Sequence, residues 1–262
     1  MAFLKHDDRT VCYRLLGDNS KPLLVLAHPL GMNQGVWDDM LPALLSKFRV
    51  LTWDLPGHGD SAAWPESPGE ITPEHLAQDA LALAEHAGAQ QFHFAGTSIG
   101  GVIGQQLVLH HESRLLSATL TNTGACIGTP DAWNTRAANV LELGLRAMAA
   151  DIVPRWFGPA ACQDQPALIQ GWRVAMGRGD NRSYALLCEM LGRTDFREAF
   201  TAVSVPIHLI GGAEDVATPP ETLAKLAHCM KAAEPLILEN VGHVPSVECP
   251  GKFSQFLLES LA

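Results

Sequence analysis

"FHFAGTSIGGVIGQQL", residues 92–107, passes from an alternating apolar run into helical spacing through a serine fenced by Gly96, Gly100 and Gly101. A turn this tight between a strand and a helix leaves no room for bulky neighbours. It forces the serine into a strained backbone conformation and exposes its hydroxyl at the positive end of the helix. The stretch therefore predicts a strand, a helix, and Ser98 as a nucleophile at the corner between them.

Working outward, β-rich runs fall at 11–17, 22–28, 49–55, 91–96, 115–122, 206–212 and 235–241, and several are apolar on both faces, as buried parallel strands are. Helical patterns lie between them near 34–46, 73–87, 99–112, 220–230 and 250–261, with Thr72 before Pro73 as a helix start. The alternation implies an α/β fold, a mostly parallel twisted sheet with helices on both faces. It is broken once. From about 125 to 200 no strand is evident; Leu141, Leu145, Met148 and Ile152 recur at helical spacing, and prolines punctuate three or four short helices. The expected organisation is a core of residues 1–124 and 198–262, with a helical cap, 125–197, inserted before the last two strands.

Composition narrows the function. The 262 residues are 47% hydrophobic and 18% charged, and the formal net charge of −10 argues against nucleic acid or an anionic membrane surface as a partner. The longest apolar-rich stretch, "PLLVLAHPL" at 22–30, is interrupted by proline and histidine and is too short to span a bilayer. The start, "MAFLKHDDRT", has no apolar signal core, so the expected location is cytoplasmic. Six scattered cysteines read as reduced thiols, and neither they nor the eleven histidines have metal-ligand spacing, so no metal is expected. The segment 125–197 holds eight arginines, no lysine and seven acids, so the acidic excess lies elsewhere.

A serine needs a base and a group to orient that base, each in a loop after a later strand. "PIHLIGGAEDVATPP" delivers Asp215 and "PLILENVGHVPSVE" delivers His243. An oxyanion needs two backbone N–H donors: Ile99, directly after the serine, and Leu30 in "AHPLGMN". Asp54, Glu214 and Glu248 are rival or accessory carboxylates. His28 and His58 read as turn-forming residues, because neither follows the last strand.

Taken together, "LLVLAHPLG", "VLTWDLPGHGDS", "AGTSIGG", "LIGGAEDVATP" and "VGHVPSVECP" resemble an α/β-hydrolase over essentially the whole chain. Within that superfamily the chain is most similar to the 3-oxoadipate enol-lactonases. "MAADIVPRWFGPA", and "YALLCEMLGRTDFRE" with Tyr184, Cys188 and Asp195, resemble their cap, whereas Thr97, Ile99 and "GRGDNRS" depart from the usual pattern. The resemblance implies a cofactor-free hydrolase of a small ester or lactone; the sequence leaves monomer and homodimer both open. Substrates of that family carry carboxylates, which makes Arg155 and Arg178 candidate ligands, with Trp133 and Trp156 as candidate pocket walls. Two other functions share these features: a carbon–carbon bond hydrolase of ring-cleavage products, and a receptor that keeps the pocket but turns over slowly.

Overall fold

The computed structural model describes residues 1–67 and 69–261. One sheet contains eight strands: β1 Ala2–His6, β2 Arg9–Leu16, β3 Leu23–Ala27, β4 Arg49–Trp53, β5 Phe92–Thr97, β6 Leu115–Thr121, β7 Ile207–Gly212 and β8 Leu236–Leu238. Their spatial order is β1-β2-β4-β3-β5-β6-β7-β8; the first two junctions, β1/β2 and β2/β4, are antiparallel and all others parallel. The sequence "LLVLA" of β3 is buried at every position, as a strand covered by helices on both faces requires.

The helices are α1 Leu41–Leu44, α2 Pro73–His86, α3 Ile99–His110, α4 Pro130–Leu143, α5 Leu145–Ile152, α6 Pro159–Asp164, α7 Pro166–Met176, α8 Asn181–Arg193, α9 Pro220–Met230, α10 Pro245–Glu248 and α11 Pro250–Ser260. Helices α2 and α3 pack on each other and on the sheet, α1 packs on α11, and α9 packs on β7. Helices α4 to α8 lie between β6 and β7, where α4 pairs with α8 and α5 with α7. No helix among the described residues is long and apolar enough to cross a membrane.

The departures from expectation have local causes. Strand β1 was not expected; it is an edge strand with alternating half-buried and exposed residues, joined to β2 by a turn in which Asp7 has φ 50°. The expected strand at 235–241 stops at Leu238 because Asn240, at φ 59°, turns the chain. The expected helix at 34–46 divides into a 3-10 helix, Gln34–Met40, and α1, which has a proline in its first turn. Five α-helices, rather than three or four, fill the insertion: Gly144 adopts φ 81° and breaks the apparent stripe, so Leu145 and Ile152 are buried on α5 while Leu141 on α4 is 57% exposed.

A buried ion pair fastens α2 to the antiparallel end of the sheet. Arg9 on β2 donates to both carboxylate oxygens of Asp79 on α2, and its guanidinium lies 4.9 Å from the Trp64 ring centre. Removing one partner leaves the other charged and desolvated. Asp79→Ala is therefore expected to lower stability by about 3–5 kcal/mol in urea unfolding, and an Arg9→Met, Asp79→Leu double variant to recover most of that loss.

Candidate active site

Parallel strands place their carboxyl ends at one edge of the sheet, so loops far apart in sequence meet there. Leu30 follows β3, Ser98 follows β5, Asn122 follows β6, Asp215 follows β7 and His243 follows β8. Since β5 lies between β3 and β6, the loop bearing Ser98 is central to the group.

Ser98 is the corner between β5 and α3 and adopts φ 61° and ψ −117°, a conformation rare for a residue with a side chain. Two glycines permit the turn. A Cβ on Gly96 would come within 2.2 Å of the Gly100 carbonyl oxygen, and one on Gly100 within 2.3 Å of the Ala27 carbonyl oxygen. Both obstacles are backbone, so neither position accepts alanine without moving a strand or a helix. The Ser98 amide is held by the Thr121 carbonyl and the Ser98 carbonyl by the Thr123 hydroxyl, which fixes the corner on both sides.

Asp215 and His243 form the second half of the site. Asp215 Oδ2 lies 2.8 Å from His243 Nδ1 and also accepts from Thr218 Oγ1 at 2.6 Å and Asn122 Nδ2 at 2.8 Å. Its Oδ1 accepts from the amides of Ala217 and Thr218 at 2.8 and 2.9 Å. Burial by itself would raise the Asp215 pKa; the His243 ring, its hydrogen bond and the Thr218 donors outweigh burial and bring it down to about 2. A carboxylate held ionised in this way keeps the imidazole proton on Nδ1 and leaves Nε2 free to accept one. Ser98 and His243 line the same cavity, and among the described residues neither Ser98 Oγ nor His243 Nε2 is hydrogen-bonded to another protein group. In unliganded sites such a contact often tightens only when substrate arrives.

Two backbone amides are candidate donors for an oxyanion hole. Among the described residues the amides of Leu30 and Ile99 donate to no protein acceptor, and Leu30 lines the cavity. The loop carrying Leu30 is shaped by His28 and His58. His28 donates from Nδ1 to the Pro29 carbonyl and accepts at Nε2 from the Leu55 amide, while His58 donates to the Pro56 carbonyl and accepts from the Gly31 amide. Both rings are therefore neutral turn organisers, as their sequence positions implied.

The cavity, about 230 Å³, is walled by Ile127, Trp133, Ile152, Trp156 and Tyr184. Arg155 also lines it, as expected, but Arg178 does not: it is solvent-exposed beyond α7 and points no group into the site. A cavity-lining cation that the sequence reading did not name is Arg136, three residues after Trp133 on α4, with its guanidinium carbon 4.9 Å from the centre of that ring and its side chain hydrogen-bonded to Tyr184. Its i, i+3 spacing from Trp133 was the available signal. Among the described residues, Arg173, Arg182, Arg193 and Arg197 have carbonyl or carboxylate partners, whereas Arg136 and Arg155 have none.

Of the rival carboxylates, Asp54 and Glu248 are committed elsewhere, whereas Glu214 has a buried Oε2 with no hydrogen-bond partner among the described residues. Asp54 accepts from the Gln34 amide, Gln34 Nε2 and the Asp60 amide. Cys12, Asp54 and Asp60 hold potential ligand atoms within 4.8 Å, but these donors already occupy both Asp54 oxygens. Glu214 faces a separate open cleft with Arg155 and Phe157. Glu248 accepts from the amides of Gly158 and Gly242. Asn122, at φ 47°, and Thr218 were not foreseen; short polar residues in a β6 loop and after an aspartate carry no distinctive spacing.

A sequence model described as the alpha/beta hydrolase family matches residues 24–256. The 3-oxoadipate enol-lactonase 2 of Acinetobacter baylyi is 32% identical to this chain, over 96% of the chain and 92% of that protein. The pimeloyl-(acyl-carrier protein) methyl ester esterase of Aeromonas hydrophila is 28% identical, over 90% of the chain and 94% of that protein. Among solved structures, an enol-lactonase from Burkholderia xenovorans superposes with a TM-score of 0.92 at 30% identity, covering 99% of each chain.

The paired histidines give the site a pH signature. Burial, then the neighbouring His58, lowers the His28 pKa from 6.5 to about 4. Below pH 6.5 the unfolded chain takes up a proton that the folded chain refuses until about pH 4, so stability falls as the pH drops through this window. The loss expected belongs to the coupled His28 and His58 pair and is on the order of a few kcal/mol. Urea midpoints between pH 7 and 4.5 measure it, and a His28→Gln variant should be less stable at pH 7 yet show a shallower slope.

Proposed function

The chain belongs to the alpha/beta hydrolase family, and from that premise we propose that it is a serine hydrolase of a small carboxylate-bearing ester or lactone, of the 3-oxoadipate enol-lactone type, acting through an acyl-enzyme. The observation that carries this reading is a single cavity where Ser98 and His243 meet two guanidinium groups that have no acidic partner among the described residues.

In the proposed reaction His243 Nε2 accepts the Ser98 proton as Oγ attacks the substrate carbonyl carbon. The amides of Ile99 and Leu30 bind the oxyanion of the tetrahedral intermediate. Its collapse breaks the bond to the alkoxy or enol oxygen, which takes the proton from His243. For a lactone both new ends stay on one molecule until deacylation. Water then attacks the acyl-enzyme with the same base, and the carboxylate product leaves with Ser98 restored.

The helices between β6 and β7 act as the cap in this scheme. Trp133, Arg136, Ile152, Arg155, Trp156 and Tyr184 all come from that insertion, so the cap sets selectivity while the sheet edge supplies the chemistry. The Arg136 guanidinium lies 4.9 Å from the Trp133 ring centre and beside the Tyr184 hydroxyl, contacts that restrain it at the cavity wall where it can hold a carboxylate. Trp156 and Ile152 cover the apolar part of the substrate.

Two measurements test the reading. Ser98→Ala should fold normally, with unchanged circular dichroism, and lose p-nitrophenyl acetate hydrolysis by about 10⁴-fold or more; retained turnover rejects the nucleophile. Arg136→Met should raise KM for a carboxylate-bearing lactone by about tenfold to a hundredfold, from the loss of a charged hydrogen bond, with little effect on a neutral lactone of equal size. Equal effects on both lactones reject carboxylate capture by this residue.

A further inference from the structure

The cap and the base-bearing loop meet at Glu248. Its Oε2 accepts from the Gly158 amide at 2.8 Å, in the insertion, and its Oε1 from the Gly242 amide at 2.9 Å, one residue before His243. A third bond runs between the same two segments, from the His243 amide to the Trp156 carbonyl at 2.9 Å. The contact is close enough to exclude a side chain at 242: a Cβ there would meet the Gly158 nitrogen at 2.6 Å and the Phe157 carbonyl carbon at 2.8 Å. Residues 156–158 and 242–243 thus lie backbone against backbone, and both lines of contact end on groups that line the cavity, the Trp156 ring and the His243 imidazole.

We propose that Glu248 is a positioning residue that makes closure of the cap over substrate and placement of the His243 base one event, by holding the Gly158 and Gly242 amides on its two carboxylate oxygens. A carboxylate suits the task because it offers two acceptor oxygens and no donor, whereas an amide turns an N–H toward one of the two amides. Glu248 lies at the C-terminus of α10, whose own turn sets the distance between its carboxylate and His243. Movement of Trp156 onto a substrate is then transmitted to the His243 backbone through bonds of fixed length. The inference rests on the reading of His243 as the base and adds to it the element that places that base.

The test uses the full-length enzyme with Glu248→Gln, which is isosteric, and Glu248→Ala, each compared with wild type in thermal unfolding and steady-state kinetics. For folded Glu248→Gln, kcat on p-nitrophenyl acetate should fall about tenfold or more, because a base displaced by a fraction of an ångström loses its alignment. KM for the carboxylate-bearing lactone should rise in the same variant, and the KM effects of Glu248→Gln and Trp156→Phe should be non-additive, since both act through one contact. A Glu248→Gln enzyme with wild-type kcat and KM that is only less thermostable overturns the proposal, as do additive KM effects. Failure of the underlying reading is distinguishable, since it would appear as turnover by Ser98→Ala.

Discussion

The Asp215 carboxylate is the interaction on which the site depends. It is almost wholly buried, and a bare carboxylate in that position would neutralise itself or disrupt the fold. Five donors prevent this: two backbone amides from its own loop, the Thr218 hydroxyl, the Asn122 amide and the His243 ring. They come from the loops after β6, β7 and β8, so satisfying one charge draws three crossover connections to a common point. Asn122 tightens this further, because its amide also donates to the Gly242 carbonyl at 3.1 Å. Its positive φ is a local strain accepted in return for that bridge.

A second set of contacts works from the other side of Ser98. His28 and His58, both kept neutral by burial, bind the loop after β3 to the loop after β4, which leaves the Leu30 amide without a partner near Ser98. The two sets are electrically opposite in kind. One keeps a charge in a buried place by surrounding it with donors, and the other keeps imidazoles uncharged there by giving each a donor and an acceptor.

What the sequence made legible follows from which constraints are local. The turn at Ser98 is governed by atoms within a few residues, so "GTSIGG" announced it, and the buried strands announced themselves by apolar runs. The meeting of Asp215 and His243 was legible through their loop positions, because chain order and strand ends constrain which loops converge. Asn122, Thr218 and Arg136 depend instead on tertiary neighbours. An asparagine or threonine in a loop has many uses, and choosing Arg136 over Arg178 required knowing how α4 and α7 turn relative to the cavity. The edge strand β1 escaped for a related reason: half of it faces solvent, and its period-two pattern over five residues is too short to distinguish from an irregular start.

Charge distribution gives the cap a role that geometry alone does not. An acidic protein repels a carboxylate-bearing molecule at long range, yet that repulsion is screened over about 8–10 Å at ordinary ionic strength. The cavity lining carries two cations without acidic partners among the described residues, half-buried Arg136 and solvent-exposed Arg155, and solvent screens the former less than the latter. Lysine would serve less well here, because a guanidinium is planar and is already restrained against the Trp133 ring and Tyr184, whereas an ammonium on a flexible stem would have to be ordered at the moment of binding. On the proposed function the insertion is therefore the source of selectivity, and the bonds from residues 156–158 to the His243 loop are the route we infer from it to the chemistry.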